Sequence, residues 1–206
     1  MSFQWIIDNS ESMAIDTKSV VARTTTRDGT VRQVSRGGGT WQFEVTLASG
    51  MPWDTSRRYL EYVNGAYNNA TNENISINAS GHITWLNKYQ GNSANYTGFS
   101  ASWSTGNVSI TLTASPGTAV GFYKFRAGDL IQLGSGRVYK VTQDVAYNSN
   151  TVYLHRPIID ASGSGVLNVG PNVTWDVYCT QVPTLQFLGR NQIGFTGSYI
   201  FTEKIV

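Results

Sequence analysis

Strict alternation of apolar and polar residues over residues 41–47 is the feature that most constrains the fold of this chain. The segment reads WQFEVTL, in which Trp41, Phe43, Val45 and Leu47 alternate with polar residues. Successive side chains of a strand point to opposite faces, so this period of two predicts one buried and one polar face. The segment therefore predicts a half-buried strand.

Turn residues divide the remaining sequence into short segments that also favour strands. Asp28-Gly29 lies between the runs SVVARTTT and TVRQVSR, and such a pair between β-branched runs predicts a two-stranded hairpin. Further strands are predicted at residues 75–77, 81–86, 100–103, 108–112, 130–133, 137–143, 151–154, 174–179, 184–188 and 197–204.

One helix is predicted, over residues 55–69, with Asp54 or Thr55 as its N-cap. A helix packed on a sheet buries its apolar stripe, and this interpretation is favoured over a ligand platform that includes Tyr62. The apolar stripe at helical spacing comprises Tyr59, Leu60, Val63 and Tyr67.

The sequence changes character from Phe122 to Pro183, where short strands and glycine-rich turns predict a small inserted β-barrel-like lobe over residues 116–183. The segment ASGSGVLNVG is interpreted as one of these turns. Residues 184–206 supply two more strands, which are predicted to rejoin a sheet formed by residues 1–115. Two consecutive domains are the alternative. The predicted fold is mainly β, with one flanking helix, a long hairpin and the inserted lobe.

Composition favours a subunit of a larger assembly. Charged residues make up 14% of the chain, against roughly 25% in average soluble domains. A charged side chain at an interface core is costly unless paired, so a surface with few charges suits a protein covered by partners. The alternative is simply a neutral β protein. A net charge of +2 is too mild to indicate general nucleic-acid binding.

The N-terminal segment SFQWIIDNSES lacks the basic and apolar regions of a secretory signal, which predicts synthesis in a cytoplasm. No apolar run approaches the length of a membrane helix, so no membrane partner is expected.

No catalytic or metal site can be assembled from the residue types and spacings. His82 and His155 have no second ligand nearby in sequence, and Cys179 alternates with apolar residues as a buried strand cysteine would. We therefore predict no metal, no cofactor and no enzymatic activity. A pair of catalytic carboxylates is not picked out by any pattern, although such pairs can lie far apart in sequence. The acids considered are Asp129, Asp144, Asp160 and Asp176.

Residues 18–36 are strongly basic, with five bases and one acid. A DNA-binding ribbon is one interpretation, but no aromatic residues interleave with the arginines as in single-strand binders. We favour a hairpin arm whose arginines meet carboxylates or carbonyls of an adjacent subunit. The glycine run lacks the Gly-Lys-Ser/Thr of a phosphate loop and leads into a strand, which indicates a bend or a close backbone contact. The candidate inter-subunit residues are Arg23, Arg27, Arg32, Arg36, Gly37, Gly38 and Gly39.

Three stretches resemble tail-tip and tail-tube-like proteins of long-tailed, non-contractile bacteriophages, most of all the small tail-tip and baseplate-ring proteins of the T5-like group. The resemblance lies in the layout of nearly the whole chain, and no single motif is diagnostic. The stretches are FQWIIDNSESMAIDTKSVVARTTTRDGTVRQVSRGGGTWQFEVTL, MPWDTSRRYLEYVNGAY and FRAGDLIQLGSGRVYKVTQDV with the later TVYLHRPII.

This resemblance implies a tail-tube-like β-sandwich or split barrel with one flanking helix, a long hairpin arm and an outer lobe. It implies a virion protein that forms a hexameric or pseudo-hexameric ring with other copies of itself. Implied partners are the tail tube protein, other tail-tip or hub proteins and the tape measure protein, with DNA only as cargo in the lumen. The lobe is absent from main tube proteins, which favours a tip or collar position.

Two other function classes stay open at this point. A carbohydrate- or receptor-binding β module of a virion would use exposed aromatic residues as its platform. A cell-wall hydrolase carried on a virion would depend on one carboxylate, and no sequence feature favours it. The platform residues would be Trp85, Tyr89, Tyr96 and Trp103.

Overall fold

The computed structural model describes residues 2–18, 21–25, 27, 31–35, 39–77 and 87–205, and of residues 21–24 and 31–35 only the backbone. The described chain is mainly β, as predicted. It divides into two compact units. Unit 1 consists of Met1–Ile75 together with Asp176–Val206, and unit 2 is Ser76–Trp175.

The helices are α1 (Ser2–Asp8) and α2 (Trp53–Asn68), and Gly170–Asn172 forms a short 3₁₀ helix. The strands in chain order are β1 (Ser10–Lys18), β2 (Val21–Thr25), β3 (Val31–Ser35), β4 (Thr40–Leu47), β5 (Met51–Pro52), β6 (Asn72–Ile75), β7 (Ser100–Trp103), β8 (Ser109–Ala114), β9 (Tyr123–Phe125), β10 (Leu130–Leu133), β11 (Val138–Lys140), β12 (Val145–Ala146), β13 (Thr151–Tyr153), β14 (Gly163–Val169), β15 (Trp175–Gln181), β16 (Thr184–Gly189), β17 (Gln192–Thr196) and β18 (Tyr199–Glu203).

Unit 1 is built on a five-stranded sheet in the order β1-β4-β18-β15-β6. Strand β4 pairs antiparallel with β1 on one side and β18 on the other. Its residues Trp41, Phe43, Val45 and Leu47 are all buried, which confirms the predicted alternation. The strand that the sequence specifies most clearly is therefore second from one edge of this sheet.

Helix α1 was not predicted and supplies part of the core of unit 1. Phe3, Ile6 and Ile7 are fully buried at helical spacing, and the Phe3 ring lies 5.0 Å from that of Phe201. The helix has seven residues, too few for a clear periodic pattern in sequence. Its first residues are held by a distant carboxylate, described below.

Helix α2 begins at Trp53, earlier than predicted, and neither Asp54 nor Thr55 is its N-cap. The Trp53 N–H donates to the main-chain oxygen of Asn191 at 2.8 Å, and the Asp54 N–H donates to the Asn191 side-chain oxygen at 3.3 Å. A residue far away in sequence thus satisfies amides that an N-cap side chain would otherwise bind. Leu60 and Val63 are buried, so the middle of the predicted stripe faces the core, whereas Tyr67 at its end is 40% exposed.

Unit 1 also contains two hairpins that are not part of the five-stranded sheet. Strands β2 and β3 pair antiparallel from Thr25 opposite Val31, which confirms the predicted ribbon, although Asp28-Gly29 itself lies outside the described residues. Strands β16 and β17 pair with each other, and β17 also pairs with β5. Their turn contains Arg190 and Asn191, both with positive φ, as a type I′ hairpin turn requires.

Unit 2 contains a six-stranded sheet in the order β11-β10-β14-β7-β8-β13. The sheet curls until its two end strands meet, because the Thr142 N–H donates to the Tyr153 oxygen at 3.0 Å and the His155 N–H to the Lys140 oxygen at 2.9 Å. Strands β9 and β12 form a separate pair. The apolar core of this unit consists of Phe99, Ala101, Ile110, Leu112, Phe125, Ile131, Leu133, Tyr139, Val141, Val145, Val152, Leu154, Ile158, Leu167 and Val169.

Unit 2 differs in extent from the predicted insertion at residues 116–183. Strands β7 and β8 pair with β14 and β13, so residues 100–114 belong with the strands that follow them. Strand β15 pairs with β18 of unit 1. These pairings place the unit at Ser76–Trp175.

The segment ASGSGVLNVG, interpreted from sequence as a glycine-rich turn, contains strand β14. This strand pairs with β10 through residues 167–169 and with β7 through Gly163–Val166. The ring of Trp103 on β7 covers two glycines: a Cβ added at Gly163 or Gly165 would lie 3.5 or 3.6 Å from it. A neighbouring aromatic ring therefore supplies the packing that the glycines lack, and the turn interpretation was wrong.

Candidate inter-subunit surface

The predicted arm corresponds in part to described residues. Arg23 and Arg32 lie in β2 and β3, where Arg23 is opposite Gln33 and Arg32 is opposite Thr24. Arg27 lies in the connection between the two strands and is exposed. The predicted residues Arg36, Gly37 and Gly38 lie outside the described part of the chain.

Gly39 occupies a crowded position beside the end of β1. It is buried, and a Cβ added to it would lie 3.4 Å from the Cβ of Thr17. This is tighter than most contacts in folded proteins, and it agrees with the predicted close approach of two backbone segments. Gly39 thus belongs to the junction between the sheet and the hairpin rather than to an outer surface.

The five-stranded sheet of unit 1 has two free edges. Strand β1 pairs with β4 on its inner side, and within the described ranges no strand pairs with its outer side. The same holds for β6 at the other end of the sheet. A nine-residue edge strand such as β1 presents a row of main-chain donors and acceptors to any extended partner.

Strand β16 is the most exposed strand of unit 1. It is the edge of its three-stranded sheet, and five of its six residues are exposed. Phe187 is 67% and Leu188 53% exposed, and the Phe187 ring makes an edge contact with Trp53 at 5.1 Å. Large exposed apolar side chains on an edge strand are typical of a surface that binds another protein.

A pocket of about 360 Å³ lies at the β6 end of unit 1. Glu73 on β6 accepts the main-chain N–H groups of Ser2 and Phe3 at 2.8 and 3.0 Å, and the Ser2 hydroxyl at 2.7 Å. This carboxylate therefore holds the start of α1. The pocket is lined by Ser2, Glu61, Tyr62, Gly65, Ala66, Asn69, Thr71 and Glu73, and we call it the α2 pocket.

No sequence pattern indicates this pocket. Glu61 follows an apolar stripe on a helix and Glu73 lies in a short strand, and neither pattern indicates a shared site. Helix α1, which completes the pocket through Ser2, was itself unpredicted. Only the absence of basic residues from the last turn of α2 could have suggested an anionic end to that helix.

Of the side chains considered for nucleophilic chemistry, Cys179 is buried and His155 is half-buried. Cys179 lies in β15, as predicted, and burial raises the pKa of its thiol to about 12. Burial lowers the pKa of His155 to about 3, with smaller contributions from Arg156 and Lys140. The His155 Nδ1 accepts the Lys140 N–H at 3.0 Å, so the ring is neutral. This hydrogen bond links β11 to the residues that follow β13. His82 lies outside the described residues.

Three of the carboxylates considered from sequence bind local groups in unit 2. Asp129 is buried and accepts the N–H groups of Gln90 and Arg126, and burial raises its pKa. Asp144 forms an ion pair with Arg126 at 2.7 Å, and its pKa is lowered by the Ala127 N–H and then by this guanidinium. Asp160 accepts the Tyr139 hydroxyl at 2.7 Å.

The fourth carboxylate, Asp176, lies in β15 of unit 1. It accepts a hydrogen bond from the Asn72 amide at 2.6 Å and lies 3.9 Å from the Lys204 ammonium. These contacts join β15 to its neighbours. In the ranges that are described, no three His, Cys, Asp or Glu side chains cluster as metal ligands.

The aromatic residues proposed as a glycan platform pack largely inward. Tyr89 contacts the rings of Phe99 and Phe125, and its hydroxyl donates to the Lys124 main-chain oxygen. Trp103 covers β14 and donates its indole N–H to the Ala161 oxygen at 2.8 Å. Tyr96 packs against the same core, and Trp85 lies outside the described residues.

Comparison with known proteins identifies no family for this chain. No protein-family model matches the sequence, and no curated protein matches it. Among the described residues, no helix is both long and apolar enough to cross a membrane.

Proposed function

We propose that this protein is a structural subunit of a bacteriophage tail, which forms a ring in the tail tip, baseplate or collar. In this position the ring continues the tail tube and its DNA-conducting lumen. The single observation that carries the proposal is the five-stranded sheet of unit 1, in which no described strand pairs with the outer side of either end strand, β1 or β6. The layout that resembles tail-tip proteins supports the same conclusion.

The two free edges differ from each other, and this difference favours a ring over a symmetric dimer. Strand β1 has nine residues and leads into the basic hairpin, whereas β6 has four and lies next to α1. When unlike edges meet, each copy contributes one of each to a head-to-tail interface. Repetition of that interface by a closing rotation yields a ring and leaves no free edge.

The remaining assignments follow from the ring. Its partners are other copies of itself, the tail tube protein, other tip or hub proteins and the tape measure protein, and DNA passes only as cargo. Its location is the virion tail, after synthesis in the host cytoplasm. The low content of charged residues, 14%, suits a subunit whose sides are covered by neighbours.

Removal of the hairpin arginines tests this proposal. We expect the triple variant Arg27→Ser, Arg32→Ser, Arg36→Ser to keep its fold, because β2 and β3 form a separate two-stranded sheet among the described strands, and substitutions outside a core change stability by only about 0.5 kcal/mol each. We expect weaker self-association, measured by sedimentation over a concentration series and by native mass spectrometry. The measurement includes co-assembly with tail tube protein, since a virion subunit can wait as a monomer until its partner is present.

A second triple variant controls for the loss of charge alone. Arg57, Lys88 and Arg190 are exposed and lie outside the hairpin, so their replacement by Ser removes the same charge elsewhere. The proposal expects this control to associate as the wild type does. Unchanged association of the hairpin variant, or unfolding of it, would contradict the role given to the hairpin.

A further inference from the structure

We propose that the α2 pocket of one copy binds Arg27 from the hairpin of a second copy. The proposal rests on the head-to-tail ring and names the contact that fixes its register. The basic hairpin, defined as β2 and β3 with the residues that connect them, would supply the cation. The α2 pocket would supply the anionic receptor.

The lining of the α2 pocket favours a cation. Among the described residues that line it, the charged ones are Glu61 and Glu73, both acidic. The C-terminal turn of α2 also lines it through Gly65, Ala66 and Asn69, and this turn contains no basic residue. The C-terminal end of a helix carries partial negative charge on its free carbonyl groups, which favours a cation there.

The two carboxylates of the pocket have different tasks. Glu73 already accepts three hydrogen bonds from the start of α1, so it has a structural role. Glu61 is exposed and makes no hydrogen bond or ion pair with any residue that the structure describes. The nearby Arg58 lies over the ring of Tyr62 at 5.5 Å. Glu61 is therefore the carboxylate available to an incoming base.

A guanidinium group suits this pocket better than an ammonium group does. Its planar donors can bind the Glu61 carboxylate in two places, while the remaining donors reach the oxygens of Asn69 and Thr71. A cavity of about 360 Å³ is also large enough to admit the end of an arginine side chain.

The position of the pocket relative to the hairpin indicates a second copy as the source of the arginine. The pocket lies beside β6, and the hairpin follows β1 at the opposite edge of the same sheet. Four strand spacings separate these edges, which is about 19 Å. Arg27 is exposed and makes no ion pair within the described part of its own chain. Each copy thus presents the base at one edge and the acids at the other.

Selective cross-linking tests this contact. The variant Arg27→Cys, Glu61→Cys places one thiol on the hairpin and one in the pocket. A short bifunctional thiol reagent is needed, because an arginine–glutamate pair holds its Cα atoms farther apart than a disulfide allows. The natural Cys179 does not compete, since it is buried and its thiol pKa is raised to about 12. We expect a ladder of cross-linked oligomers that ends at the ring size.

A matched control uses the other end of the same helix. Asp54 is an exposed acid in the first turn of α2, so Arg27→Cys, Asp54→Cys offers an equally accessible thiol away from the pocket. We expect no ladder from this pair. Equal ladders from both pairs, or rings without a ladder from the Glu61 pair, would overturn the pocket contact and leave the ring standing.

Charge reversal provides a second, independent measurement. We expect Arg27→Glu to raise the concentration needed for assembly by about tenfold or more, because it places a carboxylate against the acidic pocket. The added substitution Glu61→Arg is expected to restore much of this loss. Failure of the second substitution to restore assembly would contradict a direct contact. Absence of any self-association or co-assembly by the wild type would overturn both the ring and the contact.

Discussion

The sheets of the two units differ in what pairs with the main-chain groups of their end strands. In unit 2 the six-stranded sheet curls until residues after β11 and β13 are hydrogen-bonded across its ends. In the five-stranded sheet of unit 1, no described strand pairs with the outer side of β1 or β6. A closed sheet needs no neighbour, whereas an open one offers its edges to one.

The same contrast appears in the polar groups of the two units. Unit 2 encloses Asp129 and Arg156, each less than 3% exposed, and binds them to main-chain groups of its own. Unit 1 leaves Glu61 and Arg27 exposed and without a described partner. The comparison teaches that unit 2 binds these two buried charges internally, while unit 1 has exposed charged groups at the places where a neighbour is proposed.

The largest losses of stability are expected from one core substitution in each unit. Phe43 in unit 1 and Phe125 in unit 2 are both fully buried, so Phe43→Ala and Phe125→Ala form a matched pair. Each is expected to lower the free energy of unfolding by about 3–5 kcal/mol, because a cavity replaces the ring. Chemical denaturation measures the loss. Hydrogen exchange is expected to increase most in the strands of the substituted unit, and an equal increase in both units would break the comparison.

A smaller effect is expected from removal of one buried hydroxyl in unit 2. The Tyr139 hydroxyl donates to Asp160 at 2.7 Å and accepts the Ile159 N–H at 3.0 Å. Tyr139→Phe is expected to cost about 1.5–3 kcal/mol, because it removes a hydrogen bond to a carboxylate and leaves an amide without its partner. Denaturation of Tyr153→Phe, which changes an exposed tyrosine, is the control. Equal stability of the two variants would show that this internal network does not hold unit 2 together.

The pH dependence of stability tests the half-buried imidazole of His155 in unit 2. Its pKa is about 3 when folded and 6.5 ordinarily, so only the unfolded chain binds this proton between these values. The free energy of unfolding is therefore expected to decrease as the pH is lowered, by about 2 kcal/mol from pH 7 to pH 5. In His155→Asn the side-chain oxygen can accept the Lys140 N–H without titrating, and this variant is expected to lose that part of the pH dependence. An identical pH profile for both proteins would contradict a neutral His155 in the folded chain.

The smallest effects are expected at exposed aromatic residues. Phe187 in unit 1 and Phe122 in unit 2 are 67% and 50% exposed, so Phe187→Ser and Phe122→Ser are each expected to cost less than about 1 kcal/mol. Thermal and chemical denaturation of the single copy measure this cost. A loss of several kcal/mol from Phe187→Ser would mean that β16 belongs to the core of unit 1 rather than to a surface open to a partner.

The sequence predicted the elements whose signal is local. The period of two in β4, the paired runs of β2 and β3, and the buried stripe of α2 each lie within a few residues, and the structure confirms them. The missed elements depend on distant residues. Strand β14 contains glycines that are packed by Trp103, and the start of α2 is bound by Asn191.

The candidate site could likewise be predicted only where its signal lies within a short stretch of sequence. The charge of the hairpin is contiguous in sequence and could be recognised there. The α2 pocket joins Ser2, Glu61 and Glu73 through folding, and no spacing between these residues indicates that they meet. Strand edges are equally invisible in sequence, because the order of strands in a sheet is fixed by tertiary pairing.

Electron cryomicroscopy of the purified protein, and of particles from lysates that contain it, tests the proposed ring most directly. The proposed function predicts closed rings around a central lumen, with β1 of each copy beside β6 of the next and Arg27 at the neighbour's α2 pocket. Copies that stay monomeric and apart from every particle, or dimers in which like edges meet, would contradict it.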